Sequence, residues 1–225
     1  DARLAGTGSG SFYREVARTA DCAPEDVVAG DLVLYNNQPG TVWGPEGEFV
    51  SAPRLDDLAC VFACTEGFLT AQERDMVPVL CVFDNEEIGS ETKQGAASVF
   101  LPETLAAISE ALGLSAADHR ALLADSMMLS CDNGHARHPN HPELADTNEA
   151  PVPNGGVVVK HSPRYATDGV SAAVFTELCR RTEVPVQHYA NRPDQMGGAT
   201  LGNIADTKLP IPTVDIGMAQ LAMHS

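Results

Sequence analysis

From about residue 50 onward the chain alternates short apolar runs with helical patterns, and that alternation restricts it to an α/β sheet with helical crossovers. The run Val77-Pro78-Val79-Leu80-Cys81-Val82-Phe83 is continuously apolar, as expected of a strand covered on both faces, with Pro78 tolerable near its start. Further strands are predicted at residues 129–131, 156–160 and 212–217. Helices are predicted at 55–69, 91–99, 103–112, 116–123 and 169–181, and in the last of these Val170, Val174 and Leu178 share one face. Ahead of this region the pattern suits a helix at 12–19, a strand at 31–35 and a Pro-Gly reversal at 36–40. The polar, Gly-rich stretch at 6–11 reads as the tail of another module. The expected fold is a mixed, mostly parallel sheet flanked by helices.

With 225 residues, 44% of them hydrophobic, the chain is long enough for one good core plus part of a second domain. It has no run of about 18 apolar residues and no basic-then-apolar opening, so a soluble protein without an export signal is expected. Fourteen Lys and Arg against 31 Asp and Glu give a net charge of -17, which repels nucleic acid and anionic membrane surfaces. Neither is an expected partner. The six cysteines are scattered without a CxxC pair and read as reduced core residues in a cytoplasmic protein. Cys60 and Cys64, one helical turn apart, suggest a metal pair, but burial of free cysteine is the commoner explanation.

Metal-ligand residue types gather just past strand ends, where open α/β sheets bind their ligands. In Ser51-Ala52-Pro53-Arg54-Leu55-Asp56-Asp57-Leu58 a carboxylate sits between a strand end and an apolar helix. One carboxylate there is placed to bridge two cations; taken alone, a first-turn acid complementing the helix dipole explains it better. In Asp84-Asn85-Glu86-Glu87-Ile88-Gly89-Ser90 two glutamates follow a buried-type strand. Adjacent carboxylates on a strand or tight turn point in different directions, so one can hold a metal while its neighbour faces the reacting water. A solvated surface pair is the weaker explanation. The stretch from Cys131 to His141 holds Asp132, His135, His138 and His141, and of these Asp132, directly after the strand, is the best-placed ligand. His224 gains meaning only from the other three groups. Mixed carboxylate and imidazole ligands suit borderline divalent ions, and a pair of such ions can activate a water and polarise a carbonyl.

These stretches, together with Leu221-Ala222-Met223-His224-Ser225, His135-Ala136-Arg137-His138-Pro139-Asn140, Arg164-Tyr165-Ala166-Thr167 and Gly197-Gly198-Ala199-Thr200-Leu201-Gly202, resemble the signature motifs of the aspartyl aminopeptidase family. The resemblance runs through nearly the whole chain in the family's order. It implies an aminopeptidase/phosphorylase-like catalytic domain at 51–225, preceded at 1–50 by the end of an inserted oligomerisation domain, both belonging to a longer chain. It further implies two divalent metal ions, zinc foremost with manganese or cobalt as alternatives. Asp56 would bridge them, Asp132 would complete one ion's set, and Glu87 and His224 the other's. Glu86 would be the general base, with His135, Lys160 and Tyr165 in the substrate pocket. The implied activity is removal of an N-terminal residue, acidic or neutral, from peptides by a large homo-oligomer.

Two features depart from the family pattern. No His-x-Asp motif precedes Asp56, which leaves the ion shared by Asp56 and Asp132 with two candidate ligands, and Ala199 stands where Ser is frequent. For Lys160, pairing with an acidic substrate and acting as an edge-of-strand lysine that discourages aggregation are evenly matched. The same ligand order would also serve a two-metal deacylase. A non-catalytic assembly module is the reading from a different class.

Overall fold

The computed structural model describes residues 11–72, 75–195, 197–199 and 201–224. The Gly-rich opening, Thr200 and Ser225 lie outside them. The chain divides into two units, Asp1–Pro39 and Gly40–Ser225. In the first, helix α1 (Ser11–Thr19) carries a Glu15–Arg18 ion pair one turn apart and leads to a single 3-10 turn at Pro24–Asp26. The strand predicted at 31–35 does not form: Leu32, Val33, Leu34 and Tyr35 are exposed and no described strand pairs with them. Apolar character licenses a strand, but only a ladder partner makes one. The reversal that follows is held by the Gln38 amide donating to Asn36 Oδ1 at 2.9 Å.

The second unit opens with a hairpin that the pattern did not reveal, β1 (Thr41–Trp43) paired antiparallel with β2 (Phe49–Ser51). Trp43 stacks on Phe49 with ring centroids 4.7 Å apart, and its indole N–H donates to Ser51 Oγ. Helix α2 (Leu55–Thr70) follows, one residue longer than expected. The apolar run at 77–83 forms no ladder, and Val77 and Val79 stay exposed, so the expectation of a strand covered on both faces is not met among the described residues.

The helix predicted at 91–99 is also replaced, here by a chain of turns. Gly95 passes so close to Ser90 that a Cβ on it would lie 2.0 Å from the Ser90 carbonyl oxygen, and Ala97 N–H bonds that same oxygen. Helix α3 (Phe100–Ala111) starts earlier than its pattern, with Pro102 harmless in the first turn. Helix α4 (Ala116–Ala124) starts at a capping box formed by Ser115 and Asp118.

The remaining elements form the sheet. These are β3 (Met128–Cys131), β4 (Gly134–His135), β5 (Val157–His161), α5 (Gly169–Arg181), β6 (Val186–Ala190), α6 (Leu201–Asp206), β7 (Thr213–Gly217) and β8 (Ala219–Gln220). The main sheet has the order β3-β7-β5-β6; β3 and β6 run parallel to their neighbours, and β5 is antiparallel to β7. It is the mixed, mostly parallel sheet that the sequence predicts. Asp168 caps α5 by accepting the Val170 and Ser171 amides, and the helix packs Ala172, Phe175 and Cys179 against Val159, Val214 and Ile216 of the sheet. Val170, Val174 and Leu178 share a face, as their spacing requires, but it is the exposed one. The short parallel pair β4–β8 carries the ladder beyond β3 and β7. A Cβ at Gly217 would lie 1.8 Å from the Asp132 carbonyl oxygen, so glycine alone lets these two chain ends approach. Among the described residues no helix is long and apolar enough to cross a membrane.

Candidate metal centre

Because β3 and β7 are parallel, their C-terminal ends lie together, and the chain leaving each carries a ligand type: Asp132 directly after β3, His224 a few residues after β8. Asp132 continues the ladder by donating its N–H to Ile216 O at 3.0 Å. The start of α2 faces this point. Arg54 is left-handed (φ 61°), Asp56 and Asp57 have non-helical dihedrals, and the peptide between them is cis. Neither acid therefore acts as an ordinary first-turn residue. Asp57 instead accepts the Asn133 N–H at 3.1 Å, and Asp56 Oδ2 lies 3.0 Å from His224 Nε2.

Glu86 and Glu87 occupy a 3-10 turn between left-handed Asn85 (φ 61°) and Gly89 (φ 104°). The turn is fixed by Ser90 N–H to Asn85 O at 2.9 Å and by Asn85 Nδ2 to Thr92 Oγ1 at 3.0 Å. The two carboxylates have different surroundings. Glu87 Oε1 lies 2.9 Å from His224 Nε2, while Glu86 is half-buried and feels the charges of Asp132, Glu87 and Asp56.

Two ligand groups result. Asp56, Glu87 and His224 bring one donor atom each within 4.8 Å of one another, as do Asp56, Asp57 and Asp132, so Asp56 belongs to both. Its second oxygen, Oδ1, is buried with no hydrogen-bond partner among the described residues. A carboxylate oxygen left this way costs about 1–3 kcal/mol unless a cation meets it. The residues thus fit a divalent metal: hard carboxylates, one imidazole, and an orphaned oxygen on the shared ligand.

The electrostatics agree. Burial raises the pKa of Asp56, with Asp132 adding to it and the His224 contact opposing it. Burial likewise lifts Asp57 to about 7. Glu86 is raised by burial first and then by Asp132, Glu87 and Asp56, with Lys160 opposing. The bond to Asp56 raises His224. Crowding of carboxylates in this manner favours a cation among them.

The remaining predicted residues surround this centre unevenly. Lys160 is 2% exposed; its ammonium bonds Asp132 Oδ2 at 2.9 Å and Asn133 O at 2.8 Å and lies 5.7 Å from the Tyr165 ring centroid. Its strand β5 is interior to the sheet, so the edge-strand explanation is wrong. Burial raises the Tyr165 phenol, and Tyr189 and Asp132 raise it further. His135 lies exposed in β4 opposite Gln220, and neither ligand group contains it, His138 or His141.

Asn133 was missed by the sequence reading. It is 3% exposed and joins the start of α2 to β8 through Leu55 O at 2.8 Å and Gln220 Oε1 at 3.2 Å. Its place immediately after a candidate ligand at a strand end was the signal available.

The family described as aminopeptidase I zinc metalloprotease (M18) matches residues 7–225. A probable M18 family aminopeptidase 2 from Mycobacterium leprae is 40% identical over 222 residues, covering 98% of this chain and 52% of that protein. The crystal structure of yeast aminopeptidase 1 (Ape1) is similar with a TM-score of 0.79 at 33% identity, over 96% of this chain and 49% of that one. The structure of the S. cerevisiae mApe1 dodecamer gives a TM-score of 0.80 at 32% identity, over 100% and 51%. The chain spans about half the length of the curated relatives it matches. A shared carboxylate between two ligand groups, on a sheet of this topology and with a match along almost its entire length, has one consistent explanation: the chain belongs to the M18 family of aminopeptidase I zinc metalloproteases.

Proposed function

We propose that the protein containing this chain is an aminopeptidase that removes N-terminal residues from peptides at a pair of divalent ions, zinc foremost. The observation that carries the reading is Asp56, common to both candidate ligand groups and with one buried oxygen left without a partner among the described residues. Asp56 would be common to both sets, Glu87 and His224 would complete one, and Asp132 would serve the other. Divalent ions bound there supply Lewis acidity, lowering the pKa of water and polarising the substrate carbonyl. Glu86 is the general base: half-buried, with its proton affinity raised by burial and by three neighbouring carboxylates, it takes the attacking water's proton and returns it to the leaving amine.

His135, Lys160 and Tyr165 form the substrate side of the site. Lys160 is already paired with Asp132, so an acidic substrate side chain has to share that ammonium. A preference for acidic over neutral residues therefore depends on Lys160, and Lys160→Met narrows it. The relative solved as a dodecamer supports a homo-oligomer, with residues 1–50 as the end of the assembly module. Six free thiols suit a reducing, cytoplasmic compartment.

The test compares a dipeptide with a free α-amine against the same amino acid N-acylated, using the intact, metal-loaded protein. Cleavage of the first alone is expected. Turnover confined to the N-acylated compound would make the protein a deacylase, and fewer than two ions per chain with no turnover of either would make it an assembly module.

A further inference from the structure

Asp215 lies in the middle of β7, a strand buried along its whole length between β3 and β5, and the residue is 0% exposed. Neither ligand group contains it. A carboxyl group this deep costs free energy unless its oxygens are hydrogen-bonded. Oδ2 accepts the Ala166 N–H at 2.6 Å, and the Asp215 N–H in turn donates to Thr167 Oγ1 at 2.8 Å. Asp215 thus closes a reciprocal pair of hydrogen bonds onto two consecutive residues of the loop between β5 and α5. Helix α6 presses on the same carboxyl group: a Cβ on Gly202 would lie 2.6 Å from Asp215 Oδ1 and 2.8 Å from Ser130 Cβ, and the Gly202 N–H donates to Ser130 Oγ at 2.8 Å. So close a helix leaves the Asp215 side chain little room to turn away from the loop.

The residue before this clamp is Tyr165. Its N–H donates to Ser162 O at 3.0 Å, closing a turn directly after β5, and Asp168 caps α5 on the far side of the clamp. Between turn and cap, the bonds to Asp215 tie the loop to the sheet. They hold Tyr165 where its ring centroid lies 5.7 Å from the Lys160 ammonium, which itself bonds Asp132 at 2.9 Å. We propose that Asp215 and Thr167 are positioning residues for the substrate side of the site, fixing the loop so that the Tyr165 ring stands beside Lys160. Neither touches the substrate; both act through Tyr165. This role rests on the proposed place of Tyr165 in the substrate pocket.

The test measures kcat, KM and metal content for the intact, metal-loaded protein on a dipeptide with a free α-amine. It compares Asp215→Ala, Thr167→Val, Thr167→Ser, Tyr165→Ala and the combination of Asp215→Ala with Tyr165→Ala. Thr167→Val keeps the shape of the side chain and removes the acceptor, whereas Thr167→Ser keeps the acceptor. Asp215→Ala and Thr167→Val are expected to raise KM about tenfold with kcat held within about twofold and metal content unchanged, while Thr167→Ser stays within about twofold of the parent. The combined variant is expected to be no worse than Tyr165→Ala alone, because a residue that acts through Tyr165 then has nothing left to act on. Losses that multiply in the combined variant, or a Thr167→Ser as impaired as Thr167→Val, overturn the proposal. Should Asp215→Ala fail to fold, Thr167→Val is combined with Tyr165→Ala in its place and decides by the same criterion. No turnover by the parent protein would overturn the aminopeptidase reading and this role together, whereas turnover with multiplying losses overturns this role alone.

Discussion

Asp56 reaches His224 with one oxygen and leaves the other buried without a partner among the described residues, so its two oxygens have different surroundings. Replacing it with alanine removes the donor common to both ligand groups. Asp56→Ala is therefore expected to lose both ions, as read by elemental analysis; one ion retained at full occupancy ends the bridging assignment. Glu86 belongs to neither group, yet its proton affinity responds to Asp132, Glu87 and Asp56. Glu86→Gln keeps the size and a hydrogen-bonding head but cannot accept the water's proton. The variant is expected to bind metal normally while turnover falls by about 10²–10⁴-fold, the usual worth of a general base. Near-normal turnover contradicts the role.

Among the elements, α5 shows how spacing and burial differ. Its period identifies a helix correctly to the residue, and Asp168 supplies the cap. But the helix has apolar residues on more than one face, and spacing alone does not say which face meets the sheet. Phe175 does, at 6% exposure, whereas Val174 beside it is 51% exposed. Phe175→Ala is expected to cost about 3–5 kcal/mol in chemical denaturation. Val174→Ala should stay within about 0.5 kcal/mol. Equal losses would put the sheet against the other face. The misread elements have a common cause. Residues 31–35 and 77–83 are apolar enough for strands but lack ladder partners among the described residues, while 91–99 has helical composition overridden by the close Ser90–Gly95 approach. Strands β1, β4, β6 and β8 went unread because they are short or lack a clean alternation, and they exist through pairing with strands elsewhere in the chain.

For the molecule as a whole, candidate ligands spread from Asp56 to His224 converge, so metal bound by them would be linked to folding. Ions that bind the folded chain better than the unfolded one raise its stability by mass action. The melting temperature of the intact protein is expected to climb with zinc concentration and to drop on chelation, with the response lost in Asp56→Ala. A melting temperature indifferent to metal argues against ligands drawn from such separate elements. The sequence alone determined the α/β class, the helices with strong periodicity and the residue types of the centre, because those follow from local patterning and from motifs at strand ends. Only the tertiary structure decided that β5 is interior, that Lys160 pairs with Asp132, that Asn133 joins α2 to β8, and that Asp56 keeps one oxygen without a partner among the described residues. Each of these depends on strand order and on contacts between residues far apart in the chain, and no local stretch of sequence carries that information.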